Sequence, residues 1–328
     1  MTDIKPEDDR FHQDDGSPYW NESALFFFTV PEKSLSGFIY VYHRPNMKLS
    51  AGGVGLWDPS GQQMYDCLYY QFDEHQPLPH GADMFDVSLP NGLTVRTKNL
   101  QHAYHITYGG KGCELDLTWE SIMNPHELVP ESAGETDETN VGVKGWGSRH
   151  YEQAGRMKGT IQLDGESIDV DSWSVRDHTW GPRTPRDSYR CGYLWGVASE
   201  DSHFHVFSVS ELPWDTDPIA GTTERVVGGW YTKGGVLGEL VSGERRVVKR
   251  APSGEPLEEV VDATDHLGRK LHVEGTTQNV LKFAGFGEWL DQWALCRWDF
   301  DGETAWGESH DVMTYRHISR FLRSQGQS

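Results

Sequence analysis

Short apolar or aromatic runs, each stopped by a turn, recur about every 8–12 residues along this chain, and that rhythm limits it to sandwiches or barrels. Leu25-Phe26-Phe27-Phe28-Thr29-Val30 ends at Pro31, and Phe38-Ile39-Tyr40-Val41-Tyr42-His43 follows Gly37 and stops near Pro45. Phe85–Leu89 and Leu93–Arg96 flank Pro90-Asn91-Gly92, a hairpin signal. Tyr104–Tyr108 runs into Gly109-Gly110, and Cys113–Trp119 alternates beyond it. Gly155–Leu163 turns at Asp164-Gly165, while Tyr193–Ala198 and His203–Val209 are joined by the polar turn Ser199–Ser202. The 36 glycines supply turns and bulges, and the 13 Trp, 13 Tyr and 13 Phe favour half-buried strand positions. The one helical signal is His317–Arg323. The fold class is all-β and antiparallel.

The polar residues 1–16 read as a mobile arm. Strand-rich stretches of similar length then lie on either side of about residue 169, which sets expected domains at 17–168 and 169–328. Between them, residues 124–145 have the Pro, Glu, Gly, Thr and Asn content of a long surface loop or interdomain crossing. A formal charge of -21 repels phosphate backbones and anionic membrane surfaces, so nucleic acid is not the expected partner. Mean hydropathy is -0.62, and no apolar run approaches the roughly 18 residues of a membrane helix, so no membrane span is expected. The acidic opening, with Asp3, Glu7, Asp8 and Asp9, does not read as a signal peptide. Cys67, Cys113, Cys191 and Cys296 form no C-x-x-C pair, so neither a zinc knuckle nor a redox motif is visible. The expected location is cytoplasmic.

The densest chemistry lies in Arg176-Asp177-His178-Thr179-Trp180-Gly181. On an extended segment Arg176, His178 and Trp180 share one face, and Asp177 and Thr179 the other. An imidazole beside an indole can move a proton near neutral pH while the ring shields an apolar substrate or steadies a cation. The plain alternative is a strand end tied down by an Arg176 ion pair, with Trp180 in the core. Glu152, in Arg149-His150-Tyr151-Glu152-Gln153, is either a buried general acid or the anchor of a loop. His203 and His205 sit two apart on one strand and would bind a metal only if further ligands converged; satisfied barrel residues are the expectation, and no metal is assigned. Tyr40, Tyr193 and Trp195 fall on expected strands and either line a cavity or fill one. Glu308, near the end, reads as a member of a buried ion pair.

The stretch from Arg176 to Arg183, ahead of Gly192-Tyr193-Leu194-Trp195, resembles the AttH-like and carotenoid 1,2-hydratase-like superfamily. Kievitone hydratase and several fungal Diels–Alderases are relatives of that group. Tyr19-Trp20-Asn21-Glu22-Ser23 and His150-Tyr151-Glu152-Gln153 resemble its bacterial branch. The resemblance implies two tandem lipocalin-like β-barrels with an apolar pocket, and hydration of an alkene without a redox cofactor. It also implies roles for the His and Trp of an Asp-His-x-Trp-Gly motif, here His178 and Trp180. The hydratases carry a further Tyr and Asp on a downstream strand, where this chain reads Ser202-His203-Phe204-His205. That departure leaves dehydration, isomerisation and cyclisation open beside hydration.

The expectation is therefore a cofactor-independent hydratase or dehydratase working by acid–base chemistry on a hydrophobic, terpenoid-like molecule. An isomerase or cyclase, and a non-catalytic carrier, are the alternatives. His178, Asp177 and Trp180 are the expected catalytic residues. Arg176, Tyr193, Trp195, His203, His205, Glu152 and Tyr40 are expected to hold the substrate.

Overall fold

In the computed structural model, residues 4–128, 149–183, 190–210, 223–286 and 289–326 are described. Most of the stretch 124–145 lies outside them. The chain divides into two compact units: Met1–Leu56, Leu68–Thr136 and Val143–Pro185 form one, and Trp57–Cys67, Asp137–Gly142 and Arg186–Ser328 the other. The named strands pair antiparallel throughout, as the turn-punctuated rhythm predicts.

The first unit is a curled sheet. It begins with β1 (Trp20–Val30), β2 (Leu35–Arg44), β3 (Leu49–Trp57) and β4 (Tyr69–Pro77). β5 (Asp86–Ser88), β6 (Thr94–Asn99), β7 (Ala103–Gly110) and β8 (Cys113–Ser121) follow. β9 (His126–Glu127), β10 (Arg149–Leu163) and β11 (Glu166–Pro182) complete it. The order is β4-β3-β2-β1-β11-β10-β8-β7-β6-β5, with β9 beside β10. Strict alternation builds the core: in β8, Cys113, Leu115, Leu117 and Trp119 point inward while Glu114, Asp116 and Glu120 face solvent. β1 is buried along its whole length, so both of its faces are covered.

Two expectations change here. The boundary at 168/169 falls inside the β10–β11 hairpin, where Ile161 pairs with Ile168 and Thr160 with Asp169. β11 pairs along its other edge with β1, so it belongs to the first unit. The polar opening is not a free arm over residues 4–16. Asp9 is buried and accepts hydrogen bonds from the hydroxyls of Tyr104 and Tyr151 and from the backbone N–H of Gln101. Its Oδ1 also lies 3.2 Å from Arg176 Nη2. The Arg176 guanidinium is packed against the rings of Tyr104, Phe85, Tyr151 and Trp119. A polar segment enters the core because one carboxylate finds a buried cation and three donors there.

The second unit is a closed barrel of β12 (Cys191–Ser199), β13 (Ser202–Val209), β14 (Thr223–Lys233) and β15 (Val236–Arg250), continued by β16 (Pro256–Asp265), β17 (Lys270–Phe286), β18 (Trp289–Phe300) and β19 (Glu303–Thr314). Pairing of β12 with β19 closes it. Leu194, Phe204, Val206, Tyr231, Val273 and Trp298 fill its interior. Buried Arg245 lies among Glu224, Glu259 and Asp311. The expected helix is present as α1 (Tyr315–Ser324), capped by Thr314, whose side chain accepts from His317 N–H.

The Trp298 ring needs Gly275 beside it, since a Cβ there would stand 2.1 Å from the indole. Gly275→Ala is expected to cost about 1–3 kcal/mol by overpacking, read as a lower urea midpoint. An unchanged midpoint would show that the ring has room to move.

None of the four cysteines forms a disulfide. Among the described residues, no helix is long and apolar enough to cross a membrane.

Candidate active site

β11 carries the central segment, and its two faces differ in kind. Register sets Tyr151 of β10 beside His178, Glu152 beside Asp177 and His150 beside Thr179. On β1, Phe26 lies beside Arg176 and Ser23 beside Thr179. Arg176, His178 and Trp180 therefore point into the core, and Asp177 points away from it, the division that alternation predicts.

The inward face is packed. His178 is fully buried, with Nδ1 2.9 Å from the Ser23 carbonyl oxygen. Burial pushes its imidazole down to about 3, so the ring is neutral. It stacks on Trp180 at 5.1 Å between centroids. His12 stacks on the same indole at 4.0 Å, and the Arg149 guanidinium lies 5.4 Å from it. The expectation that His178 and Trp180 line a substrate pocket is corrected to this extent: the opening segment occupies the face they share.

The outward face holds a different arrangement. His150 Nε2 lies 2.6 Å from Glu152 Oε1 and 3.7 Å from Asp177 Oδ2. Asp177 Oδ1 accepts a 2.7 Å hydrogen bond from Leu25 N–H. Burial, and then the Glu152 carboxylate beside it, push Asp177 up to about 7. Burial likewise pulls His150 down to about 4, so its neutral ring serves as a donor to Glu152. Leu25, Val175, Ala154 and Tyr40, all buried, share this face by register with the polar cluster. Arg183 donates to the Tyr40 hydroxyl at 3.2 Å and to Ser23 Oγ at 3.0 Å. Tyr40 in turn stacks on Phe72, with centroids 5.7 Å apart. A carboxyl group that exchanges its proton near neutral pH can give that proton to a substrate and take it back.

Of the expected site residues, the first unit thus brings Asp177, Glu152 and Tyr40 to one face and sets Arg176, His178 and Trp180 on the other. Tyr193, Trp195, His203 and His205 belong to the second unit, where all four are buried. His203 Nδ1 accepts from Trp230 Nε1 at 2.9 Å, and His205 stacks on Trp230 and meets Tyr193 edge-on. Among the described residues no third ligand joins His203 and His205.

Sequence reading gave His150 no role of its own, and it placed Glu308 in a buried ion pair, which in the structure is a second carboxylate–imidazole group. In that group His310 lies 3.2 Å from Glu308 and 3.5 Å from Asp291. Although burial opposes it, those carboxylates push His310 up to about 9. The spacing of Glu308 and His310, two apart on one strand, was the available signal; Asp291 joins them only through the pairing of β18 with β19.

Residues 5–313 match the model of a family described as a domain of unknown function (DUF7064). The fold is similar to that of an AttH-like protein from Nitrosomonas europaea, at 14% identity and a TM-score of 0.56, covering 90% of this chain and 92% of that one. It is also similar to kievitone hydratase from Nectria haematococca, at 11% identity and a TM-score of 0.53, covering 94% and 92%. CghA with Sch210972 aligns at 10% identity and a TM-score of 0.54, covering 91% and 89%. No curated protein matches the sequence. The fold is thus the lipocalin-like one that the central segment implied.

Proposed function

Because the chain belongs to a family described only as a domain of unknown function (DUF7064), its function rests on the chemistry of its site, and we propose that it is a cofactor-independent acid–base enzyme acting on an apolar, terpenoid-like molecule. The reaction is hydration of an alkene or dehydration of a tertiary alcohol. One arrangement carries this reading: Asp177, pushed up to about 7 by burial and then by Glu152, lies beside His150 on the face that also carries buried Leu25, Val175, Ala154 and Tyr40. The hydratase among the solved structures of this fold agrees with it.

In the dehydration direction Asp177 O–H protonates the hydroxyl oxygen, the C–O bond breaks, and water leaves. The carboxylate so formed removes a proton from the adjacent carbon, giving the alkene and restoring the acid. Hydration is the reverse. Tyr40 presents a π face of the kind that steadies a cation by about 0.5–2 kcal/mol. His150 and Arg183 act as positioning residues, orienting Glu152 and Tyr40 respectively.

The test is to incubate the full chain with apolar alkenes and tertiary alcohols in isotopically labelled water and to analyse products by mass spectrometry. One labelled oxygen per hydrated product, or release of water from an alcohol, is the expected result. Stoichiometric recovery of unchanged ligand would make the protein a carrier. The Tyr40–Phe72 stack favours one further reading, a cyclase or isomerase that works by holding a reactive conformer. In that case Asp177→Asn would leave the rate nearly unchanged.

A further inference from the structure

On the inward face of β11, two imidazoles and a carboxylate converge on one point. His12 Nδ1 stands 3.2 Å from Glu22 Oε2, and His178 Nε2 stands 3.5 Å from the same oxygen. The three ligand atoms lie within 4.8 Å of one another. Glu22 and His178 are buried, and His12 is half-buried.

The hydrogen bonding is incomplete in a specific way. The Ser23 carbonyl, 2.9 Å from His178 Nδ1, can only accept, so Nδ1 carries the proton and Nε2 presents a lone pair. That lone pair is aimed at a carboxylate oxygen, a second acceptor, and Nε2 has no hydrogen-bond partner. A charge-assisted N–H···O bond would bring these atoms to about 2.7–2.9 Å. The 3.2 Å contact is a long hydrogen bond from His12 and the 3.5 Å one is not a hydrogen bond, and the two bracket the edge of about 3.3 Å in a tetrahedron of ligands about 2.0–2.1 Å from zinc.

The outer nitrogen of one ring, that of His178, is hydrogen-bonded in the manner of a metal-bound histidine, and a carboxylate stands near that of the other. His12 Nε2 faces Asp8 Oδ1 at 3.5 Å, and His178 Nδ1 faces the Ser23 carbonyl. Trp180 stacks on both imidazoles and fixes their orientation. The His150–Glu152 contact across the sheet, at 2.6 Å, has a hydrogen-bond length and lacks this signature.

We propose that His12, Glu22 and His178 bind a divalent transition-metal ion, zinc by the character of the ligands, with water in the fourth position. The ion fastens the opening segment to β1 and β11. It lies on the face of β11 opposite Asp177 and takes no part in the proposed proton transfer.

The test is calorimetric titration of zinc chloride into tag-free, chelator-dialysed full chain, with thermal unfolding alongside. One ion per chain and a higher Tm are expected. His12→Gln and His178→Gln should each weaken binding about 10-fold or more and abolish the Tm shift, while His105→Gln, at an exposed His–Asp pair, changes neither. His12 sits at the edge of the core, so its variant keeps the test valid if His178→Gln fails to fold. Absence of saturable binding, binding unchanged in His12→Gln, or binding lost in Glu152→Gln and not in His12→Gln would each overturn the assignment.

Discussion

Asp177→Asn is expected to lower turnover by about 10²–10⁴-fold, the usual worth of a positioned acid, while making the folded chain more stable at neutral and alkaline pH. The amide oxygen can still accept the Leu25 hydrogen bond, so the local geometry survives. What is lost is a carboxyl group whose folded pKa is raised from 3.8 to about 7. Below 3.8 that carboxyl is neutral in both folded and unfolded chains and its ionisation has no effect on stability. As pH rises toward 7 the unfolded chain ionises first, so the folded state binds the extra proton and stability falls. Above 7 the penalty is complete and constant. The shift of about three units, at about 1.36 kcal/mol each, sets a ceiling of roughly 4 kcal/mol, and Asp177→Asn should recover about 2–4 kcal/mol of it. Urea unfolding at about pH 4 and about pH 8 measures this: the variant should match wild type at the lower pH and exceed it at the higher. A variant less stable than wild type at both would mean that the carboxylate is needed for structure.

Asp9→Ala is expected to cost about 3–5 kcal/mol, because it leaves the Arg176 cation buried without its carboxylate. Tyr104, Tyr151 and the Gln101 N–H lose their shared acceptor in the same step. Replacing the cation as well, in an Asp9→Ala/Arg176→Met double variant, should return part of the loss, since an apolar side chain in that aromatic cage has no charge to desolvate. The urea midpoints of the four proteins test this. An Asp9→Ala cost below about 1 kcal/mol would mean that the opening segment is not held by this pair.

Local pattern carried the fold further than it carried the site. Alternation in Cys113–Trp119 is visible residue by residue, and the structure repeats it. The division of the central segment into Arg176–His178–Trp180 and Asp177–Thr179 also follows from alternation alone. Which of those faces is packed does not, because the answer lies in Asp9 and His12, more than 160 residues away along the chain. A run of acidic residues reads as solvated until its buried cation is known. The domain boundary fails for a related reason: β11 pairs with β1 as well as β10, and a pairing over that separation leaves no mark on composition. Glu152 was legible as a potential acid. Its pressure on Asp177 required the β10–β11 register, which sets the two carboxyls side by side. His203 accepts a hydrogen bond from Trp230, and His205 stacks on the same indole.

The protonation of Asp177 can be observed without a substrate. Its side-chain carboxyl resonance, assigned through Asp177→Asn, can be followed by carbon-13 NMR as a function of pH in wild type and in Glu152→Gln. A midpoint near 7 in wild type, moving downward when the Glu152 charge is removed, is the predicted result. A wild-type midpoint in the ordinary aspartate range of about 3.9, unmoved by Glu152→Gln, would contradict the assignment of Asp177 as the proton donor.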